Sequence, residues 1–271
     1  MNCAGKVFVV TGGGAGIGRA TVLELIRRGA RVAAVDLNAE GLQETADEAE
    51  AGKNLSLHAL NITDRDAVLA LPLEVTEALG PADGLINVAG IIQPFIHVED
   101  LKFEQMEHVV DVNFWGTVNV VKAFLPGLKS RSEASLVNVS SMGALLPVPG
   151  QSFYGASKAA VRLLTEGLYA ELLDTSVTVT EVFPGAVATE ITKNSGVETS
   201  DHGGDTSRAT SPEEAGRVIA DAIERKRFRV MIGNDARLFD ILSRVAPKRG
   251  ITMIAKKMKD LVTARAKEVG I

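Results

Sequence analysis

Tyr154 and Lys158 stand four residues apart in Tyr154-Gly155-Ala156-Ser157-Lys158, the single Tyr-x-x-x-Lys of the chain. On a helix that spacing puts both side chains on one face, one turn apart. An ammonium about 4 Å from a phenol contributes roughly 4 kcal/mol at an effective dielectric of about 20. At about 1.4 kcal/mol per unit, this would carry the phenol from about 10 toward 7, where a general acid or base works best. The same spacing also suits a packed ring beside a solvated amine.

A second cluster lies at the start of the chain, in Thr11-Gly12-Gly13-Gly14-Ala15-Gly16-Ile17-Gly18. Glycines there permit positive φ and let backbone approach a ligand, while the N–H groups and dipole of a following helix attract phosphate. That is a pyrophosphate cradle in physical terms, although no glycine triple falls at i, i+2 and i+5. A tight structural turn would use the same residues. Asp36 follows 18 residues after Gly18, close to the roughly 20 expected of a carboxylate that accepts from an adenosine ribose. Its charge repels a 2′-phosphate, and Ala15 and Leu37 offer no cation to hold one, which favours NAD over NADP. A solvated Asp opening a turn before Asn38 is the plainer alternative.

These residues need elements to position them. Short Val/Ile/Leu-rich runs at 7–10, 31–35, 55–60, 85–88, 136–139 and 177–183 read as strands. Each is nearly continuous in apolar residues, as suits strands buried on both faces. Helical periodicity covers 17–28, 40–51, 64–79 with a kink expected at Pro72, 101–125 and 152–173. Strand, crossover helix and strand thus repeat along a parallel sheet. No repeat or linker divides the chain. Residues 189–211, rich in Gly, Ser, Thr and Asp, read as a substrate lid at the sheet's ligand-binding edge.

The 271 residues are 46% hydrophobic and 23% charged, with a net charge of -5. This excludes a disordered chain and one that coats nucleic acid. Cys3 has no partner for a disulfide, and a strand beginning at residue 6 or 7 leaves no room for a signal peptide, so a cytoplasmic location is expected. No run approaches the roughly 18 apolar residues of a membrane span. The glycosylation patterns at Asn54, Asn61 and Asn138 then carry no information. The net charge averages two unlike parts: residues 225–271 hold 13 Lys/Arg against 4 Asp/Glu, and the remainder 16 against 30.

Taken together, the motifs resemble those of the short-chain dehydrogenases/reductases over about residues 5–235. Thr11-Gly12-x-x-x-Gly16-x-Gly18 is similar to the family's cofactor loop, and Asn87-Val88-Ala89-Gly90 to its Asn-Asn-Ala-Gly element. Asn113, Ser141, Tyr154 and Lys158 stand where the family places its catalytic tetrad, and Pro184-Gly185-Ala186-Val187-Ala188-Thr189 matches its nicotinamide-side segment. Val88 for the second Asn, and Asn61 where the family often has an Asp contacting adenine, are departures. The resemblance implies a single-domain Rossmann-type α/β fold, a doubly wound parallel sheet, here with a helical C-terminal extension after residue 235.

It also implies roles. Tyr154 would exchange a proton with the substrate oxygen. Lys158 would lower its pKa and hold the nicotinamide ribose, and Ser141 would donate to the substrate oxygen. Asn113 would interrupt its helix and hold a relay water. Ser140 would be supporting, since neighbours leaving a strand point to opposite faces. NAD would lie along Gly12, Gly14, Gly16, Ile17, Gly18, Asp36, Leu37, Asn61, Ile62, Asn87, Ala89, Gly90, Tyr154, Lys158, Pro184, Gly185, Val187 and Thr189. His58, His97, His108 and His202 lack ligand spacing, so no catalytic metal is expected. Trp115 reads as core or subunit contact.

Pocket walls are expected at 93–98, at 143–153 with Leu145, Leu146, Pro147, Val148 and Phe153, and at 189–211. They are largely apolar, which points to a secondary alcohol or ketone on an apolar skeleton. The alternatives are an NADP-linked 3-oxoacyl-thioester reductase and a non-catalytic NAD-binding scaffold. Leu238, Phe239, Ile241, Leu242 and Val245, then Ile251, Ile254, Met258, Leu261 and Val262, follow helical spacing beside Lys256, Lys257 and Lys259. Such a basic amphipathic tail packs on its own subunit or a partner, or lies on an anionic membrane surface. A homodimer or homotetramer is expected, with no nucleic-acid partner.

Overall fold

The computed structural model describes residues 1–189, 191–195 and 209–268, with side chains to 259 apart from that of residue 193. Seven parallel strands form one sheet in the order β3-β2-β1-β4-β5-β6-β7. They are β1 (Val7–Thr11), β2 (Arg31–Asp36), β3 (Leu55–Ala59), β4 (Gly84–Asn87), β5 (Ala134–Val139), β6 (Val177–Pro184) and β7 (Arg229–Ile232). Because β1 pairs with both β2 and β4, the strand order reverses there. A crevice for a ligand therefore opens at the carboxyl ends of β1 and β4.

Strand alternation sends the two halves of each strand to different cores. Val7, Val9, Leu85, Leu136 and Val179 pack under α3 (Arg65–Leu79), α5 (Thr117–Lys129) and α6 (Ser152–Glu171). Phe8, Val10, Ile86, Val137 and Val182 pack under α1 (Gly16–Arg27) and α8 (Pro212–Glu224). β3 departs from the expected double burial: it is an edge strand in which Leu57 is 37% exposed. Its residues, Leu-Ser-Leu-His-Ala, alternate, as a half-covered strand requires. β7 escaped the sequence reading because its apolar run, Val230-Met231-Ile232, is short and follows the arginine-rich stretch at 225–229.

Helix starts are mostly capped in the usual way. Asn38 accepts from Glu40 and Gly41 at α2 (Ala39–Ala49), Asp64 from Asp66 and Ala67 at α3, and Ser211 from Glu214 at α8. α1 is different: Ala15 provides no side-chain cap, so its first N–H groups face the crevice without one. The helix expected over 101–125 is broken. α4 (Phe103–Val110) passes into a wider π turn at Asp111–Gly116 before α5 begins. Pro72 lies inside α3, which continues past it.

At the C-terminus α9 (Asn234–Val245) and α10 (Pro247–Glu268) form a helical hairpin, with Ala236 and Ile254 buried. A Cβ on Gly250 would lie 2.9 Å from Leu146 Cδ1 and 3.4 Å from Leu242 Cβ, so the hairpin sits directly on the turn following β5. Leu238, Ile241, Val245 and Ile251 remain exposed. Leu261 and Val262 of the expected apolar face lie outside the described side chains.

Candidate active site

The glycine loop leaves β1 and is held to its neighbours by backbone contacts that admit no side chain. Gly12 has φ +73°, and a Cβ there would lie 2.9 Å from the Ala89 amide nitrogen. A Cβ on Gly18 would overlap the Gly12 carbonyl oxygen. Thr11 Oγ1 accepts from the Val88 and Ala89 amides at 3.2 and 3.3 Å, tying the loop to the end of β4. Gly16, with φ +52°, lies beneath Thr189, whose Cγ2 would be 3.1 Å from a Cβ at that glycine.

Asp36 already works on this loop. Its two carboxylate oxygens accept from the Gly14 and Asn38 amides, both at 2.9 Å. Two residues that sequence reasoning passed over support it. Arg19 donates to the Gly14 carbonyl at 2.6 Å and to Glu44 at 2.5 Å, and Thr45 donates to the Gly13 carbonyl at 2.9 Å. The signal was available, since Arg19 faces the loop from the first turn of α1. Leu37 is 72% exposed, and Ile62 is buried with its carbonyl accepting from Asn119 Nδ2 at 3.1 Å. Asn61 Oδ1 accepts from the Thr63 amide at 3.0 Å.

At the far side of the crevice, Asn113 and Lys158 meet at Gly90, and Ser141 and Tyr154 meet at Gly143. A Cβ on Gly90 would lie 2.8 Å from Lys158 Nζ and 3.0 Å from Asn113 Oδ1. Asn113 sits in the π turn and clamps Ile91, accepting from its amide at 2.8 Å and donating to its carbonyl at 2.9 Å. It also donates to Ser157 Oγ at 2.9 Å. Ser140 turns away from the crevice and donates to the Lys158 carbonyl at 2.8 Å. Ser141 faces the other way: its Oγ accepts from Gly143 at 3.0 Å, and a Cβ on Gly143 would lie 3.4 Å from that oxygen and 3.6 Å from Tyr154 Cε1, so the serine hydroxyl and the tyrosine ring meet at one glycine.

The electrostatics differ from the simple helical-face expectation. Burial pushes the Tyr154 phenol above its ordinary value, and the group that pulls it back is Ser141, not Lys158. The reason is geometric: Lys158 directs Nζ to the Val139 carbonyl at 3.2 Å. Burial lowers Lys158 itself to about 8. Such a lysine gives up a proton far more readily than a solvated one.

The remaining positions fall at the rim or behind it. Asn87 turns its side chain into the sheet, donating to Asn138 Oδ1 at 2.8 Å, so only its backbone faces the crevice. Its Oδ1 is buried without a partner. Pro184 ends β6. A Cβ on Gly185 would overlap Asp235, which accepts from the Ala186 amide at 2.6 Å. Asp235 is thus a third supporting residue missed by the sequence reading. Val187 bridges to Thr210. The proposed lid lies largely outside the described residues, as do His202 and residues 190 and 196–208.

Two expected wall residues are not on the wall. Leu146 is buried beneath the C-terminal hairpin, and Gln93 is fully buried against the start of α6. Trp115 is 44% exposed, with the Arg65 guanidinium 5.9 Å from its ring, so it is not core of this chain. Among the described residues no group of three His, Cys, Asp or Glu could hold a metal, and no helix is long and apolar enough to cross a membrane.

The family model of the short chain dehydrogenases matches residues 6–199. The chain belongs to the short-chain dehydrogenase family. This short-chain dehydrogenase is 38% identical over 251 residues to the putative oxidoreductase SadH of Mycobacterium tuberculosis, covering 89% of this chain and 91% of that protein. A crystal structure of a short-chain dehydrogenase from Burkholderia cenocepacia in complex with NADP is 28% identical, with a TM-score of 0.78 over 94% of this chain and 99% of that one. One from Burkholderia phymatum in complex with NAD, 23% identical, has the same fold, with a TM-score of 0.78 over 96% of each chain. The protein is therefore an oxidoreductase with a nicotinamide cofactor, NAD or NADP.

Proposed function

We propose that this oxidoreductase is NAD-dependent and interconverts a secondary alcohol and a ketone on a mainly apolar substrate. The observation that carries the reading is the meeting of the Ser141 hydroxyl and the Tyr154 ring at Gly143, with a buried Lys158 four residues along the same helix and a glycine cradle at the end of β1. The cradle fits a dinucleotide: no side chain can occupy Gly12 or Gly18, and the amides of α1 are left for a pyrophosphate. Gly12, Gly14, Gly16, Ile17 and Gly18 would hold it, with Ala89, Gly90, Gly185, Val187 and Thr189 along its nicotinamide half. The nicotinamide, when bound, accepts or donates the hydride.

The chain's own residues manage the proton. Tyr154 takes it from the substrate hydroxyl, or returns it to the carbonyl oxygen, while Ser141 donates to that same oxygen and steadies its developing charge. Lys158, protonated below about pH 8, stands one turn along the helix from the tyrosine and donates to the Val139 carbonyl. Asn113 holds the Ile91 backbone in place. The preference for NAD rests on Asp36 at the end of β2. The one nearby guanidinium, Arg19, is already paired with Glu44, which leaves a 2′-phosphate facing a carboxylate.

The test is an NAD-against-NADP screen over apolar secondary alcohols and ketones, followed by absorbance of the reduced cofactor. Turnover should be greater with NAD and should fall at least about 10³-fold in Tyr154→Phe. Unaltered turnover in that variant, or activity confined to small polyols, would sink the reading.

A further inference from the structure

The helix that carries Tyr154 and Lys158 has no cap of its own. Gln151 occupies the N-cap position of α6 without a side-chain hydrogen bond, and the first-turn amides of a helix have no intrahelical partner. Tyr154 is the third residue of that turn, where an uncapped helix frays first.

The missing acceptor comes from 60 residues earlier in the chain. Gln93 Oε1 accepts from the Phe153 amide at 2.7 Å and from the Tyr154 amide at 3.1 Å. These are the second and third residues of α6, the two donors that a local Ser or Asp cap would take. The other end of the same amide donates to the Gly150 carbonyl at 2.9 Å, and Gln151 Nε2 donates back to the Gln93 carbonyl at 2.6 Å. Gln93 is completely buried. Its neighbours in sequence are clamped to other parts of the site, Ile91 by Asn113 and Ile92 by Ser195 Oγ at 3.0 Å.

We infer that Gln93 is a positioning residue for the reaction: its side-chain amide is the N-cap of the catalytic helix and fixes where the Tyr154 hydroxyl stands. The inference rests on the proton-transfer role proposed for Tyr154. The cap must be neutral at one end and donating at the other. A carbonyl oxygen meets the two amides, and an N–H meets Gly150. Loss of the acceptor frees the first turn of α6, and a displacement of about 1 Å at a reacting group costs on the order of 10²-fold.

Three variants test this, assayed with NAD and 2-octanol and by amide hydrogen exchange of the cofactor-free protein. Gln93→Met keeps size but not the acceptor. It should lose exchange protection at Phe153 and Tyr154 and lower kcat by about 10- to 100-fold, with KM for NAD unchanged. Gln93→Glu reproduces the cap only while protonated, its carbonyl oxygen accepting from the two amides and its O–H donating to the Gly150 carbonyl, and burial favours that form. Its kcat relative to wild type should therefore be close to one at about pH 5 to 6 and fall by about 10-fold or more as the carboxyl ionises at higher pH, with KM for NAD unchanged, a split that a merely structural role would not produce. Tyr154→Phe is the control. If it is inactive while Gln93→Met retains wild-type kcat and exchange protection, or while Gln93→Glu shows no fall in kcat relative to wild type as pH rises, the inference falls and the proposed reaction stands. If Tyr154→Phe keeps its turnover, the reaction itself is wrong, and the exchange data alone report on the cap.

Discussion

Replacing Glu181 by glutamine should remove a pH-dependent part of the protein's stability. Glu181 is wholly buried in β6, in register with Asn138 on one side and Arg229 on the other. Burial pushes its carboxyl up to about 7, against the pull of the Arg229 guanidinium at 2.6 Å and with a further push from Glu166. Arg229 cannot fully neutralise it, being shared with Asp240 at 2.8 Å and Glu166 at 3.6 Å, and Glu181 Oε2 has no partner. The folded-state value lies above the unfolded value of 4.5. Between those pH values the native protein therefore holds a proton that the unfolded chain has released. The stabilisation is complete below about pH 4.5 and is lost as pH rises through about 7. A shift of this size corresponds to about 3 kcal/mol at most. Urea denaturation of both proteins from pH 5 to 8.5 reads the effect as a difference, which cancels every other titrating group. Wild type should lose about 2 to 3 kcal/mol relative to Glu181→Gln across that range. A difference that stays constant within about 0.5 kcal/mol would refute the reasoning.

Three further outcomes follow from the site. Gly18→Ala should abolish NAD binding in a fluorescence titration, because its Cβ would overlap the Gly12 carbonyl and open the loop. Asn113→Ala removes three hydrogen bonds of a buried side chain and leaves the Ile91 amide and carbonyl unpaired, at a cost of about 3 kcal/mol in chemical denaturation. Lys158 loses its charge above about pH 8. Lys158→Met should therefore erase a limb near that pH in the rate profile and slow turnover by about 10²-fold.

Much of this architecture was legible from local pattern. Double-sided burial writes itself as unbroken Val/Ile/Leu runs, which is why β1, β2, β4, β5 and β6 were found within a residue or two. β3 was found but given the wrong environment, because one exposed face was averaged away in a short apolar run. β7 was missed for the same reason in reverse. The crevice residues were legible where chemistry restricts residue type: Gly12 and Gly18 tolerate no Cβ, and Tyr154 and Lys158 share a helical face. What escaped was tertiary pairing across long separations. Nothing local marks Gln93 as the cap of a helix beginning at Ser152, or Asp235 as the anchor of Gly185. The direction of Lys158 Nζ likewise depends on a carbonyl of β5 that no periodicity reveals.

The contact of Gly250 with Leu146 ties the last seventh of the chain to the turn after β5. Leu146 closes the turn that begins at Ser141, so the hairpin beyond the matched family region packs against the segment that carries that serine. A side chain at Gly250 would be felt five residues from Ser141 without touching the crevice. A substitution at Gly250 is thus a change to the packing behind the turn that Ser141 opens, made from more than 100 residues away in the chain.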